Sequence, residues 1–225
     1  MIKKTTITKT TPAAAKTGAA PRPEPVRPTL LLATNNRHKA CEMSEILSPL
    51  GFDITTPEDI GLSLEIKETG ETFEENARLK ARAFAQASGL PSIADDSGLC
   101  VAALGWEPGV RSARFGGAAT DEDRRRLLLE IMESGADRFA KFVTVIAGAF
   151  PDGTEIVAEG EQRGELLRAE RGESGFGYDP VFYYPKLRKT NAEMTPEEKN
   201  SVSARGKALR ALAKKLKKSF YRKDV

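Results

Sequence analysis

The amino-acid sequence predicts an α/β protein with a mixed sheet. Short apolar runs of strand length alternate with segments of helical periodicity, the pattern of strand–helix–strand units. Further along, two apolar segments at 142–150 and 154–158 flank Pro151-Asp152-Gly153, a turn signal that predicts an antiparallel hairpin. Parallel units and an antiparallel hairpin together indicate a mixed sheet.

Composition excludes several classes of protein. The 225 residues are 40% hydrophobic and 30% charged, as in globular proteins with one sizeable core or two lobes. There is no apolar run of about 18 residues and no secretory h-region, so we expect no membrane span. Two cysteines, expected to be small buried side chains, favour a reducing, cytoplasmic location. The lysine-rich ends are predicted to be solvated, and no nucleic-acid partner is expected.

The first elements follow a proline-rich tail. Residues 1–28 are rich in Thr, Ala, Lys and Pro and are predicted to be disordered or extended, which leaves 29–225 as the folded domain. The apolar run 30–33 predicts a buried strand. Apolar residues at helical spacing over 40–50 predict a helix that Gly51 closes, and 52–55 predicts a second strand.

The central segment opens with a helix start signal. Thr72 and Glu75 form a predicted capping box, and the helix is expected to end near Ser88, before Gly89. The run 92–94 predicts a short strand that ends in a turn at Ser97-Gly98. Residues 99–104 are predicted to continue as a strand.

The C-terminal part has three further signals. Thr120 is expected to cap a helix, and a glycine-rich loop is predicted over 172–178. Thr195 and Glu198 form a second capping box with Pro196 at the first helical position. The last helix carries apolar residues on one face at 209, 212 and 216.

The first candidate site lies where the first strand meets the first helix. Free N–H groups and the positive end of a helix dipole favour a phosphate there, and a lysine adds charge. The alternative is a capped helix with an exposed lysine and an exposed loop histidine. The candidate residues are Thr34, Asn35, Asn36, Arg37, His38 and Lys39.

The second candidate site is acidic. Adjacent carboxylates Asp95 and Asp96, with Glu68, are costly unless a cation neutralises them, and Mg²⁺ takes such ligands. Successive strand residues face opposite ways, so both aspartates reach one point only if the chain turns at Ser97. The alternative is an Asx-turn that ends a strand. Lys80, one turn from Asn76, could face the same cleft or lie in solvent.

The third candidate site combines a loop with a helix pair. Glycines around Phe176 allow close approach of backbone to a ligand, and the ring could stack a purine or fill the core. Lys199 and Arg205 could reach a polyanion or a carbonyl, or could be solvated.

In order along the chain, these motifs resemble the inosine/xanthosine triphosphate pyrophosphatase family. The resemblance covers about 29–217 and is carried by the stretches 33–39, 68–80, 93–99, 108–115, 175–180 and 197–203. It implies an elongated, two-lobed α/β fold with a mixed sheet and a central cleft, which would make 29–225 a single catalytic domain of two lobes. It also implies a homodimer.

The resemblance further implies roles for single residues. Asp96 would accept a proton, with Asp95 and Lys80 nearby, and Glu68 and Asp96 would hold Mg²⁺. The expected substrate-binding residues are Thr34 to Lys39, Ser97, Phe176, Gly177, Tyr178, Asp179, Lys199 and Arg205.

The expected activity is hydrolysis of ITP, dITP and XTP to the monophosphate and pyrophosphate. One departure concerns Ala204, because most of the family has a base-pocket histidine there. Three alternatives remain open: a Maf-like pyrophosphatase of different base preference, a nucleotide-binding protein weakened by Ala204, and a nucleic-acid-binding module driven by the lysine-rich tails.

Overall fold

The computed structural model describes residues 27–132 and 137–221. Of the predicted tail, 1–26 lies outside these residues. The strands are β1 (Thr29–Leu32), β2 (Asp53–Thr55), β3 (Ser92–Val101), β4 (Phe139–Ala149), β5 (Glu155–Leu166), β6 (Phe182–Tyr184) and β7 (Lys189–Thr190). The helices are α1 (Arg37–Leu47), α2 (Phe73–Ser88), α3 (Asp121–Ile131), α4 (Pro196–Val202) and α5 (Ala204–Tyr221).

The described strands form one open seven-stranded sheet in the order β2-β1-β3-β4-β5-β6-β7. β1 pairs in parallel with β2 and β3, and every later pairing is antiparallel. The predicted hairpin is β4–β5, which is longer than the sequence signal suggested. The mixed-sheet α/β fold is therefore confirmed, while the division into two lobes stays a prediction.

The third strand corrects one expectation. β3 runs without interruption from Ser92 to Val101 and pairs with β4 throughout. The predicted turn at Ser97-Gly98 is therefore wrong, and 102–104 is a 3₁₀ turn rather than strand. Gly98 is needed for close packing, because a Cβ there would collide with the Gly109 carbonyl.

Side-chain signals at the helix starts act as predicted. Both capping boxes form, at Thr72 with Glu75 and at Thr195 with Glu198. The Asn36 side chain caps α1 by accepting a hydrogen bond from the Lys39 N–H at 3.2 Å. These caps satisfy N–H groups that have no partner inside the helix. They fix where α1 and α4 begin, and both helices border the site described below.

Helices cover both faces of the sheet. Leu30, Leu32 and Ile93 pack in one buried cluster with residues of α1 and α5, whereas Leu31 and Ala94 pack with α2 on the other face. This alternation is the two-residue period of a strand. A third buried cluster joins the end of β3 to α3 and β6. The alternation continues along β3 and decides which way its two aspartates point.

Two smaller expectations concern cysteines and membranes. Both cysteines are free, which fits the absence of a predicted disulfide framework. Cys100 is buried as expected, but Cys41 is exposed on α1, so its expected burial is wrong. Within 27–132 and 137–221, none of the helices has the length and apolar character needed to cross a membrane.

Candidate functional site

A cleft of about 320 Å³ gathers residues from separate parts of the chain. Its walls come from the start of α1, from β3, from the loop between β5 and β6, and from the α4–α5 junction. The predicted site residues that line it are Asn36, His38, Lys39, Glu68, Asp96, Ser97, Phe176, Gly177, Tyr178, Asp179, Lys199 and Arg205. Three sequence motifs that lie far apart in the chain therefore share one cavity.

Asp95 faces α1 and α5 and is fully buried among cations. Its Oδ2 lies 3.0 Å from Lys39 Nζ and 3.1 Å from Arg205 Nη2, and the Ser97 hydroxyl donates to it at 3.2 Å. Burial acts to raise the pKa of Asp95, but Lys39 and Arg205 outweigh it and hold the pKa well below its usual range. Asp95 is thus an ionised anchor beneath the cleft wall.

Asp96 points to the opposite face, towards α2. Asn76 Nδ2 donates to its Oδ2 at 3.1 Å, and Lys80 Nζ lies 3.6 Å from its Oδ1. Burial, together with the nearby carboxylate of Glu68, raises the pKa of Asp96 despite Lys80. A carboxylate of raised pKa that lines a cleft is suited to accept a proton.

Glu68 and Asp96 meet at the ammonium of Lys80. Lys80 Nζ donates to Glu68 Oε1 at 2.6 Å. Burial acts to lower the pKa of Lys80, but the nearby carboxylates Asp95, Asp96 and Glu68 outweigh it, so the pKa is raised. Lys80 is therefore a charged, largely buried residue rather than a solvated one. Its place beside Asn76 on one helix face is as expected from their spacing.

These two carboxylates fit a magnesium ion. Among the described residues, no three His, Cys, Asp or Glu side chains form a ready-made metal site. Mg²⁺, however, takes only one or two carboxylates and fills its remaining positions with water and substrate phosphates. The oxygen-only pair of Glu68 and Asp96 meets that requirement.

The loop at 175–179 holds an aromatic ring against cations. Asp179 Oδ2 accepts from the Phe176 N–H at 2.9 Å and from Lys199 Nζ at 2.7 Å. The Phe176 ring lies 4.9 Å from Lys199 Nζ and 5.6 Å from the Arg205 guanidinium carbon. His38 stacks on the same ring, with centroids 5.4 Å apart and planes at 19°. An aromatic surface thus lies beside two hydrogen-bond donors.

Glu42 forms ion pairs with both of these donors, Lys199 and Arg205. Its carboxylate accepts from Lys199 Nζ at 2.7 Å and also pairs with Arg205. Burial acts to raise the pKa of Glu42, but Arg205 and Lys199 lower it overall, so the residue is ionised. Sequence reasoning missed Glu42, although it lies one helical turn after His38 on α1, a spacing that puts both on one face.

Some predicted site residues lie elsewhere. Arg37 extends into solvent and pairs with Glu58 at 3.6 Å. Asn35 Nδ2 donates to the Leu64 carbonyl, and the Thr34 hydroxyl accepts from the Asn36 N–H. None of these three side chains lines the cleft, so their expected substrate contacts stay predictions.

Tyr178 lines the cleft but is mostly core. Its hydroxyl donates to the Ser112 carbonyl at 2.9 Å, and burial raises its pKa to about 12. Ala204, the first residue of α5, is buried in the cleft wall next to Arg205. Sequence reasoning did not assign several further cleft residues, of which Ser112 and Ser203 lie within quoted motifs and the others do not: Ser112, Asp121, Arg124, Phe142, Thr144, Asn191 and Ser203.

Comparisons with a family model and with known sequences find the same group of related proteins. A sequence model of the Ham1 family matches residues 30–215. A dITP/XTP pyrophosphatase of Thermus thermophilus is 55% identical over 185 residues, which are 81% of this chain and 89% of that protein. A dITP/XTP pyrophosphatase of Deinococcus radiodurans is 50% identical over 81% of this chain and 90% of its own length.

Solved structures agree with the sequence comparison. A HAM1 protein from Coxiella burnetii superposes with a TM-score of 0.77 at 42% identity, covering 85% of this chain and 99% of its own. The Staphylococcus aureus Ham1 protein gives a TM-score of 0.75 at 40% identity, with the same coverage of both chains.

Proposed function

The chain belongs to the Ham1 family, and we propose that it hydrolyses the non-standard purine nucleoside triphosphates ITP, dITP and XTP to monophosphate and pyrophosphate, removing them from the nucleotide pool. The observation that carries the proposal is the shared cleft. It joins Glu68 and Asp96, a carboxylate pair fit for Mg²⁺, to Phe176, an aromatic surface flanked by Lys199 and Arg205.

Charge balance supports a requirement for a divalent cation. The acidic and basic side chains that line the cleft or pair with its charged residues are six basic ones, Lys39, Lys80, Arg114, Arg124, Lys199 and Arg205, and six acidic ones, Glu42, Glu68, Asp95, Asp96, Asp121 and Asp179. The protein alone therefore offers a polyphosphate no net positive charge. When bound by Glu68 and Asp96, Mg²⁺ would supply that charge and would acidify or orient a water.

In the proposed reaction, the charged residues near the cleft have different roles. Asp96, with its raised pKa, takes the proton of the water that attacks the α-phosphorus. Lys80 and Lys39 face the negative charge of the departing pyrophosphate. Asp95 keeps Lys39 and Arg205 in place. Most of the rate enhancement in this scheme comes from positioning and from charge stabilisation.

Base preference follows from hydrogen-bond polarity. Lys199 and Arg205 only donate, and hypoxanthine and xanthine present a keto acceptor at position 6. Adenine presents an amino donor there, which leaves two donors facing each other. A buried donor without an acceptor costs about 1–3 kcal/mol. The site is therefore expected to prefer 6-keto purines over adenine.

The test is product analysis on a substrate panel. Purified protein with Mg²⁺ is expected to release pyrophosphate from ITP, dITP and XTP much faster than from ATP. Preference for dUTP or modified pyrimidine triphosphates would favour a Maf-like activity instead. Nucleotide binding without pyrophosphate release would favour a silent binding protein, and steeply salt-dependent binding of DNA or RNA would favour the nucleic-acid module.

We also propose that the protein acts as a homodimer in the cytoplasm. The family resemblance supports the dimer, and two free cysteines support a reducing compartment. Light scattering on the purified chain checks the assembly, and a mass equal to one chain over the working concentration range contradicts it.

A further inference from the structure

Helix α3 holds both polar backbone groups of Gly177, the residue that follows the aromatic Phe176. The Gly177 N–H donates to Asp121 Oδ2 at 2.8 Å, and Arg125 Nη1 donates to the Gly177 carbonyl at 2.9 Å. The two side chains come from successive turns of one helix. They therefore lie on one face of the helix and hydrogen-bond to a single residue of the loop from the same side.

Asp121 and Arg125, the two side chains that bind Gly177, are themselves held by ion pairs. Arg125 Nε donates to Glu170 Oε1 at 2.8 Å, and Arg124 pairs with Asp121. Burial acts to raise the pKa of Asp121, but Arg124 and the Gly177 N–H lower it overall, so the carboxylate is ionised. Charge-assisted hydrogen bonds of this kind are stronger than those between neutral groups.

Gly177 needs such a restraint. Its φ of +60° lies in the left-handed region. Glycine adopts many other backbone conformations about as readily, so φ and ψ at this position are not fixed by the residue itself. Its two neighbours are tied in different directions, the Phe176 N–H to Asp179 and the Tyr178 hydroxyl to Ser112. A change at Gly177 would rotate the Phe176 ring relative to Lys199 and Arg205.

We infer that Asp121 and Arg125 are positioning residues of the base site, which set the affinity for the purine by fixing the Phe176 ring. This inference rests on the proposed function. Asp121 itself lines the cleft, whereas Arg125 does not, so Arg125 acts on a bound nucleotide through Gly177. The effect is therefore expected on binding of the base and not on the acids around Lys80.

The test compares two neighbouring arginines of α3. Arg125→Ala removes the bond to Gly177, whereas Arg126→Ala removes an exposed residue whose ion pairs, among the described residues, are with Asp123 and Glu130 of its own helix. We expect Arg125→Ala to raise KM for ITP about tenfold, equivalent to about 1.4 kcal/mol, with kcat within about threefold of wild type. Arg125→Lys should recover part of the loss, Asp121→Asn should raise KM in the same direction, and Arg126→Ala should match wild type.

A base-free ligand separates positioning from a general structural role. Binding of tripolyphosphate with Mg²⁺, measured by calorimetry, is expected to be equal in wild type and Arg125→Ala. An unchanged KM for ITP in Arg125→Ala, or an equal loss of ITP and tripolyphosphate binding, overturns the inference.

The two proposals fail in different ways. If wild type binds ITP but releases no pyrophosphate, the proposed function is wrong, and the inference is then judged on the dissociation constants of ITP for the same variants. An unchanged dissociation constant in Arg125→Ala overturns it there as well.

Discussion

Asp95 and Asp96 are adjacent in the chain, yet their carboxylates lie on opposite faces of β3. Asp95 contacts Lys39 and Arg205, whereas Asp96 contacts Asn76 and Lys80. The first is ionised by its surrounding cations, and the pKa of the second is raised by burial. One unbroken strand thus places two identical side chains in different surroundings, which suit Asp95 to anchor cations and, in the proposed function, Asp96 to accept a proton.

Removing the charge of Asp96 is expected to stop turnover and spare the fold. Asp96→Asn keeps the size of the side chain but cannot accept the proton, and general-base catalysis contributes about 100- to 10,000-fold. We expect kcat on ITP to fall by that order, measured as pyrophosphate release. Asp96→Asn with near wild-type activity and an unchanged thermal midpoint would mean that the base is another residue.

Metal removal is expected to abolish activity reversibly. A chelator should stop pyrophosphate release, and added Mg²⁺ should restore it. Glu68→Gln should raise the Mg²⁺ concentration for half-maximal activity about tenfold, because one of the two proposed carboxylate ligands is lost. Glu65→Gln is the matched control, since Glu65 is exposed in the same segment. Equal Mg²⁺ requirements in the two variants would remove Glu68 from the metal site.

Neutralising Glu42 is expected to weaken base recognition. Glu42→Gln leaves Lys199 and Arg205 with one carboxylate partner fewer each, and a hydrogen bond to a charged group contributes about 1.5–3 kcal/mol. We expect KM for ITP to rise about tenfold or more and the preference for ITP over ATP to fall. Glu45 is the control, because its carboxylate accepts from Asn200 and Cys41 and does not line the cleft, so Glu45→Gln should retain both values.

The imidazole of His38 is expected to compete with the purine for Phe176. A centroid separation of 5.4 Å leaves no room for a base between the two rings, so a base on that ring face must displace His38. His38→Ala should therefore lower KM for ITP several-fold, and His38→Phe should raise it. A raised KM in His38→Ala would instead make His38 a residue that holds the nucleotide, as the sequence suggested.

The Tyr178 hydroxyl is expected to contribute stability over a defined pH range. Tyr178→Phe leaves the Ser112 carbonyl without this donor, which costs about 1 kcal/mol. Because folding raises the pKa from 10.0 to about 12, the contribution is complete below about pH 10 and is lost as the pH rises towards 12. Urea unfolding of both proteins at several pH values checks this. A difference that already vanishes near neutral pH contradicts the hydrogen bond.

Local signals in the sequence were sufficient for most elements. The capping boxes at Thr72 and Thr195 gave helix starts that the structure reproduces, and Pro151-Asp152-Gly153 gave the β4–β5 hairpin. Such signals work because a side chain bonds its own helix end or turn, within a few residues. The predicted turn at Ser97-Gly98 failed because pairing with β4 and contact with Gly109 are long-range.

By itself, the sequence determined the fold class, the family and the residue types of the site, because these depend on periodicity, caps and motif order. Only the tertiary structure decided that the side chains of Asp95 and Asp96 lie on opposite faces of β3. It also decided that Glu42 pairs with Lys199 and Arg205, and that side chains of α3 hydrogen-bond to the backbone of Gly177. Those relationships join residues from different elements across a cleft. They are fixed by which sheet face each side chain occupies and by how the helices pack on it, and no local pattern specifies that packing.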